Sequence, residues 1–108
     1  MNVSKCFLGG RLVADPMVKK VGETTICDFT IAVSDGFGDK KSSSFFECQS
    51  FNKTADTIKQ YFKKGSNIFV EGRLKQDKWT SKEGDARSKV VVKVDGFSFV
   101  DSVSQDKE

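Results

Sequence analysis

The chain has 108 residues and a mass of 12.0 kDa, which is the size of a single domain. Hydrophobic residues make up 37% of it and charged residues 31%, a balance typical of a small packed core and not of wholesale disorder. The sequence contains no histidine, so the commonest general base and metal ligand is absent. No apolar run approaches the roughly 20 residues of a membrane span, and the N-terminus does not resemble a signal peptide.

The three cysteines, Cys6, Cys27 and Cys48, are spaced far apart and form no C-x-x-C pair. A disulfide framework favours an even and denser set, and a zinc site needs four clustered ligands. Each cysteine lies in an apolar or strand-like stretch. The pattern therefore predicts buried thiols in a reducing cytoplasm, with no metal site and no cofactor.

Charge is distributed unevenly along the chain, although the net charge is only +3. Residues 1–39 carry a net −1, residues 40–93 a net +7 and residues 94–108 a net −3. A basic segment of this kind either binds a polyanion or forms a solvated lysine-rich surface. Charge alone does not distinguish these two interpretations.

The first half of the chain is predicted to form three strands. The first covers residues 5–13, where Gly9-Gly10 predicts a bulge, and a connecting stretch follows as far as the turn at Gly22-Glu23. The second strand covers residues 24–34, with apolar side chains alternating on one face. A flexible Gly-rich and Lys-rich loop then leads to a third strand over residues 44–51.

One helix is predicted, over residues 54–62, because Ala55, Ile58, Tyr61 and Phe62 fall on one stripe. Thr54 is expected to accept a backbone hydrogen bond at its start. The run Lys63-Lys64-Gly65 ends it, with cations at the negative end and a glycine free to adopt positive φ.

Two further strands follow, over residues 67–78 and 87–100. In the fourth strand, the face expected to be core carries Ile68, Val70, Gly72 and Leu74. In the fifth strand, the residues expected to be core are Val90, Val92 and Val94. Five strands with one short helix between the third and fourth is the element order of the oligonucleotide-binding barrel. We therefore predict an all-β, five-stranded OB-fold in residues 1–100, and a short polar tail in residues 101–108.

The third strand places aromatic side chains on the face that is not core. With a period of two, Phe45 and Phe51 share a face with Glu47 and Gln49. A face with these two polar residues is not expected to be buried. The two phenylalanines therefore face solvent or a partner.

The fourth strand repeats this pattern, since Phe69 shares its face with charged residues and the strand leads to Trp79. Phe37 lies in the Gly-flanked loop. Taken singly, each ring has a structural explanation: a strand phenylalanine is usually core, Trp79 could staple a hairpin, and Phe37 could fold back as a lid.

Together, Phe37, Phe45, Phe51 and Trp79 lie within or beside the basic segment. Aromatic rings interleaved with lysines are what single-stranded nucleic acid requires, because each unstacked base offers a face for stacking and the cations neutralise phosphates. The combination favours binding of single strands over duplex.

Several blocks of the sequence occur in the order in which a known family has them. They are Gly10-Arg11-Leu12, Asp15-Pro16, Phe29-x-Ile31-Ala32-Val33-Ser34, Ser44-Phe45-Phe46, Tyr61-Phe62-Lys63-Lys64-Gly65-Ser66, Val70-Glu71-Gly72-Arg73-Leu74 and Lys78-Trp79. With these blocks, residues 1–100 resemble the bacterial-type single-stranded DNA-binding proteins, the SSB family.

The resemblance implies an OB-fold that binds single-stranded DNA without base preference, without catalysis, and commonly as a homotetramer, with a dimer as the other possibility. It places the stacking positions of the family on the four aromatics named above, three of which are often tryptophan in relatives. It also implies a cytoplasmic protein, of the bacterial nucleoid or encoded by a phage or plasmid in a bacterial host. The basic contacts of the family fall here on Lys19, Lys40, Lys53, Lys64, Lys75 and Lys78.

The sequence departs from the family pattern in two respects. Glu47 and Asp77 stand where some relatives have arginine, which predicts a less electropositive binding surface. The tail over residues 102–108 has neither the long linker nor the acidic, aromatic-ended tip with which relatives recruit replication and repair enzymes. Such protein partners are therefore not predicted from this sequence.

Two other functions fit parts of the sequence. An OB-fold adaptor of the replication-restart type would use the exposed aromatics chiefly for a protein interface. A barrel-type nuclease would need an acidic pair, for which Asp35 with Asp39 and Glu83 with Asp85 are the candidates. Both pairs lie in turn-like loops without an arginine–carboxylate constellation, which favours solvated turn residues.

Overall fold

The architecture is given by a computed structural model that describes residues 3–100. Its elements are β1 (Cys6–Leu12), β2 (Met17–Val21), β3 (Thr24–Asp35), a 3-10 turn (Gly38–Lys40), β4 (Ser42–Phe51), α1 (Asn52–Tyr61), β5 (Asn67–Thr80) and β6 (Ala86–Phe99). The predicted tail, residues 101–108, lies outside the described residues.

The strands form one sheet that closes on itself. Their order is β1-β5-β6-β4-β3-β2, and β1 also pairs with β3 at Arg11 and Leu12, which completes a ring of five strands. The β4–β6 pairing is parallel, and the others are antiparallel. The predicted all-β OB-fold with one short helix is confirmed.

The core fills the ring with aliphatic side chains from β1, β3, β5, β6 and α1, and β4 contributes Cys48. Leu12, Ile31, Ile58 and Val70 are at most 2% exposed. The helix packs against β3 and β4, and Lys59 Nζ donates a hydrogen bond of 3.1 Å to the carbonyl oxygen of Pro16. No helix within residues 3–100 is long and apolar enough to cross a membrane.

A short strand, β2, replaces the predicted connecting stretch. It pairs with β3 from Met17–Asp28 to Val21–Thr24, around a two-residue turn in which Gly22 has φ +63°. Every residue of β2 is exposed, so the strand has no buried face. Its sequence therefore lacks the apolar–polar alternation by which a strand is predicted. It extends the edge of the sheet and leaves the five-stranded ring intact.

The bulge predicted at Gly9-Gly10 is wrong, because β1 pairs with β5 in continuous register from Cys6 to Arg11. The register shift lies between β5 and β6 instead, at Glu71/Gly72. Gly10 is required for another reason. A Cβ at this position would lie 2.2 Å from the carbonyl oxygen of Ala32, where β1 crosses from β5 to β3.

Leu74 and Val90 were both predicted to be core, and both are exposed, at 52% and 59%. Beyond Leu74 and Val92, β5 and β6 pair only with each other within the described chain, and most side chains of the hairpin are exposed. Val91, at its base, is the exception at 2% exposed. We call this projecting hairpin, residues 75–91, the arm. Strand alternation continues in the arm, but alternation buries a side chain only where something lies opposite it.

The helix begins earlier than predicted, at Asn52, and its N-cap residue Phe51 makes no side-chain capping bond. Thr54 therefore does not cap it. Asn52 has φ +55°, a conformation that asparagine tolerates better than most residues, and its Oδ1 accepts from the amide of Thr25 at 3.3 Å.

The predicted glycine stop is wrong, because the helix ends at Tyr61 and its C-cap residue Phe62 is extended, with φ −117°. Gly65 has φ +89°, but it lies in the turn that follows, where the amide of Ser66 donates to the carbonyl oxygen of Lys63 at 2.9 Å. Tyr61, on the predicted stripe, is 59% exposed.

The cysteines are free, and two of them, Cys27 and Cys48, are no more than 1% exposed. Burial raises the pKa of the Cys27 thiol, and it raises the pKa of the Cys48 thiol to about 12. Because the thiolate is the reactive form, we expect Ellman's reagent to label at most Cys6 rapidly in the native protein at pH 8. All three should react in denaturant, and Cys6→Ser should abolish any fast phase. Rapid labelling of two thiols would contradict this burial.

Candidate nucleic-acid interface

The outward row of β4 consists of Phe45, Glu47, Gln49 and Phe51, as the alternation predicts. Phe45 is 64% exposed and Phe51 is half-buried, whereas Cys48, between them, is 1% exposed. The prediction that this row faces away from the core is confirmed.

Strand pairing places outward rows of β6 and β5 beside the β4 row. Gln49 pairs with Lys93 on β6, which pairs with Arg73 on β5, and the register continues along the arm as far as Trp79 opposite Arg87. We call these three outward rows the strand face. Its polar and aromatic members are Phe45, Glu47, Gln49, Phe51, Arg73, Lys75, Asp77, Trp79, Arg87, Lys89 and Lys93.

The three rings of the strand face stand apart from one another. Phe45 and Phe51 are six residues apart on β4, which is about 20 Å at the usual rise of a strand. Trp79 is 47% exposed and lies near the end of the arm. This spacing offers separate stacking platforms along the surface, and not a single pocket that closes on one ligand.

Phe37 lies off the strand face, in the loop between β3 and β4, and is 90% exposed. Gly36 and Gly38 on either side have φ of +101° and +54°, and the amide of Lys40 donates to the carbonyl oxygen of Phe37 at 2.9 Å. The backbone thus turns sharply around Phe37. The ring of Phe37 does not fold back as a lid over the end of the barrel, because it is almost fully exposed.

Of the six predicted lysines, Lys75 lies on the strand face, and Lys19 lies beside it on β2. Lys19 is tied to Asp28 by an ion pair of 3.3 Å. Lys78 pairs with Ser88, so it lies on the opposite side of the arm from Trp79.

The other three predicted lysines lie in connections around the barrel. Lys40 ends the 3-10 turn, and Lys53 lies in the first turn of α1, two residues after Phe51. Lys64 is in the turn after α1, where its backbone amide donates to Asp15 Oδ1 at 2.8 Å. The structure therefore brings two of the six to the strand face or its edge, and distributes the rest around it.

Carboxylates neutralise most of the cations on and beside the strand face. Lys89 Nζ lies 2.8 Å from Glu47 Oε1, and Lys93 Nζ lies 3.9 Å from Asp77 Oδ2. The hydrogen bond to Glu47 raises the pKa of Lys89. A cleft of about 320 Å³ is lined by the Lys89–Glu47 and Lys19–Asp28 pairs and by Asp77. Glu47 and Asp77 were predicted to make the surface less electropositive, and they do so by forming ion pairs with Lys89 and Lys93.

Comparison with known proteins places the chain in a family. The model of the Single-strand binding protein family matches residues 3–100. The chain belongs to this family. It is 34% identical to the single-stranded DNA-binding protein of Clostridium perfringens over 93% of this chain and 67% of that protein. It is also 34% identical to single-stranded DNA-binding protein 1 of Synechocystis, over 100% of this chain and 92% of the relative. For the single-stranded DNA-binding protein of Aquifex aeolicus the identity is 35%, over 82% of this chain and 63% of the relative.

The structure adds four cations to the strand face of this member of the single-strand binding family: Arg73 on β5, and Arg87, Lys89 and Lys93 on β6. A signal for the three on β6 exists in the sequence, because Lys93 lies between Val92 and Val94, and Lys89 and Arg87 have the same strand parity as Lys93. The prediction used only the valine face. Since Val92 and Val94 point inward, Lys93, Lys89 and Arg87 belong to the opposite row, in which Val91 alone is buried.

Proposed function

We propose that the protein binds single-stranded DNA without strong sequence preference, by stacking bases on its aromatic rings and by lysine–phosphate contacts. The observation that carries this proposal is the exposure of Phe45 and Trp79 on one outward surface that also holds Phe51 and a series of cations. Exposed rings of this size are costly in water unless a ligand covers them. Bases of a single strand have free faces to stack on them, whereas a duplex hides its base faces.

The names of the relatives support the same ligand, since the three above are single-stranded DNA-binding proteins. The role that follows is to coat and protect exposed single strands during replication, recombination and repair, with no chemical step. Its place would be the cytoplasm of a bacterium, whether the gene is chromosomal or is carried by a phage or plasmid.

The direct test is a titration of the protein with oligo-dT while the fluorescence of Trp79, the only tryptophan, is monitored. Stacking should quench the emission, and the affinity should fall steeply with salt because phosphate contacts release counterions. Duplex DNA of the same length should compete poorly. No quenching and no binding at low salt would contradict the proposal.

The ion pair between Glu47 and Lys89 predicts a substitution that strengthens the binding of oligo-dT, whereas most substitutions on the strand face should weaken it. In Glu47→Gln, Lys89 is released and one negative charge leaves the strand face. We expect oligo-dT to bind about twofold to tenfold more tightly at low salt, with a log–log salt slope steeper by about 0.7 if Lys89 then reaches a phosphate. Fluorescence titrations over a series of salt concentrations measure both quantities.

A matched control for Glu47→Gln is Glu71→Gln. Glu71 Oε2 lies 2.7 Å from Lys5 Nζ, and this pair is exposed to a similar degree. Glu71 continues the outward row of β5 beyond Arg73, but it lies where β5 pairs with β1 and not beside β4. Glu71→Gln should leave the salt slope unchanged. Equal effects of the two variants would mean that only net charge matters, and not the strand face.

We further propose that the protein assembles as a homotetramer through β1, or as a dimer if that association is limited to one interface. One edge of β1 pairs with β5 from Cys6 to Arg11. Among the described residues the other edge pairs with β3 only at Arg11 and Leu12, so from Cys6 to Gly10 that edge has no strand beside it. Phe7, on this segment, is 59% exposed and stacks on Phe69 with ring centroids 6.0 Å apart. Light scattering with and without a long oligo-dT would give the mass. A dimer with weak affinity for oligo-dT would favour the replication-restart adaptor instead.

A further inference from the structure

Lys93 is held differently from the other cations of the strand face. Its side chain is 14% exposed, whereas those of Lys89 and Arg73 are 46% and 54% exposed. Its ammonium group donates a hydrogen bond to Gln49 Oε1 and lies 3.9 Å from Asp77 Oδ2. Lys93 is therefore fixed between β4 and β5.

The same ammonium group lies over the ring of Phe51, at 5.7 Å from the ring centroid. A cation at this distance is attracted by the negative face of an aromatic ring. The cation thus lies on one side of the Phe51 ring, and the side chain remains partly exposed. Since Phe51 is also the N-cap residue of α1, its backbone is fixed by the end of β4 and the start of the helix, and Lys93 restrains the remaining freedom of the ring.

A lysine in this position is poorly placed to bind phosphate. To reach solvent, its ammonium would have to leave Gln49, Asp77 and the ring together. Lys75, which is exposed and has no ion pair within the described chain, is a better phosphate ligand on the same face.

We propose that Lys93 is a positioning residue, which holds Phe51 as a one-sided stacking platform and does not itself neutralise a phosphate. This inference rests on the proposed binding of single-stranded DNA. If Lys93 acts in this way, its contribution to the affinity for single-stranded DNA requires bases that can stack on Phe51, and it does not change with salt concentration.

The experiment compares Lys93→Met, which keeps the length of the side chain and removes its charge, with the wild type. Each is titrated with oligo-dT and with an abasic oligonucleotide of equal length over a series of salt concentrations. We expect Lys93→Met to bind oligo-dT about threefold to tenfold more weakly, with the salt slope and the abasic affinity unchanged. Lys93→Arg, which restores a cation over the ring, should recover most of the loss. In a Phe51→Ala background, Lys93→Met should have no further effect.

Lys75→Met is the matched control, and it should weaken both ligands alike and flatten the salt slope by about 0.7. If Lys93→Met behaves as Lys75→Met does, Lys93 is a phosphate ligand and the proposal is overturned. Unchanged binding of oligo-dT by Lys93→Met would overturn it equally.

A measurement without DNA separates failure of this proposal from failure of the proposed function. The ε-methylene protons of Lys93 should be shifted upfield in NMR spectra by the ring current of Phe51, and the shift should vanish in Phe51→Leu. If the wild type shows the shift but binds no oligo-dT, the proposed function fails and Lys93 positions nothing for DNA. If it binds oligo-dT without the shift, the proposed function stands and the positioning role fails.

Discussion

Replacing Trp79 with alanine is expected to weaken the binding of oligo-dT by about 1–3 kcal/mol, which is the usual contribution of one base stacked on an aromatic ring. The indole lies on the arm, at 47% exposure, and is not part of the buried core cluster. Its removal should therefore cost affinity and leave the fold intact. Because the variant has no tryptophan, binding is best measured by the fluorescence anisotropy of a labelled oligonucleotide.

Trp79→Phe provides the matched comparison for Trp79→Ala. It keeps a smaller ring, so an intermediate affinity is expected. Thermal unfolding of both variants should match that of the wild type to within a few degrees. A loss of folding in Trp79→Ala would show that the indole stabilises the arm, and an unchanged affinity would remove Trp79 from the interface.

Replacing Ile58 with alanine should have the largest effect on stability, with a decrease of about 2–5 kcal/mol in the free energy of unfolding. Ile58 is fully buried, and with Ala55 it provides the apolar side chains through which α1 packs against the barrel. Alanine would leave a cavity that the closed sheet cannot easily fill, because its strands are held by pairing on both sides. Urea denaturation followed by circular dichroism measures the change.

Gln60→Ala tests whether that effect comes from the buried face of the helix. Gln60 is exposed on the same helix, and alanine is at least as good a helix former, so the free energy of unfolding should change by less than about 0.5 kcal/mol. A loss below about 1 kcal/mol in Ile58→Ala would contradict the assignment of α1 to the core.

The sequence was sufficient to predict which side of β4 faces outward. The two phenylalanines share a parity with Glu47 and Gln49, and a row with two such polar residues is rarely buried. Strand alternation is a local property, so it can be read directly. The same is true of the helix stripe that contains Ile58.

What the sequence could not predict depends on contacts between distant segments. The ion pair of Glu47 with Lys89 requires the parallel register of β4 and β6, and the contact of Lys93 with Phe51 requires the same register. Alternation predicts Leu74 in the core because it does not report where a sheet runs out of neighbours. The glycine pair predicts a bulge at Gly10, since the approach of the Ala32 carbonyl comes from a strand about twenty residues away.

Two junctions of the barrel are short. The β4–β6 junction pairs Cys48 with Val92 and Gln49 with Lys93, and the β1–β3 junction pairs Arg11 with Ala32 and Leu12 with Ile31, whereas β5 and β6 pair over the whole length from Ile68 to Thr80. Opening of the barrel should therefore begin at one of these two junctions, where few backbone bonds must break. A bound strand that spans Phe51 and Trp79 would bridge the β4–β6 junction and not the β1–β3 junction. Hydrogen exchange that slows on binding at β4–β6 and not at β1–β3 would show that the ligand also holds the barrel closed.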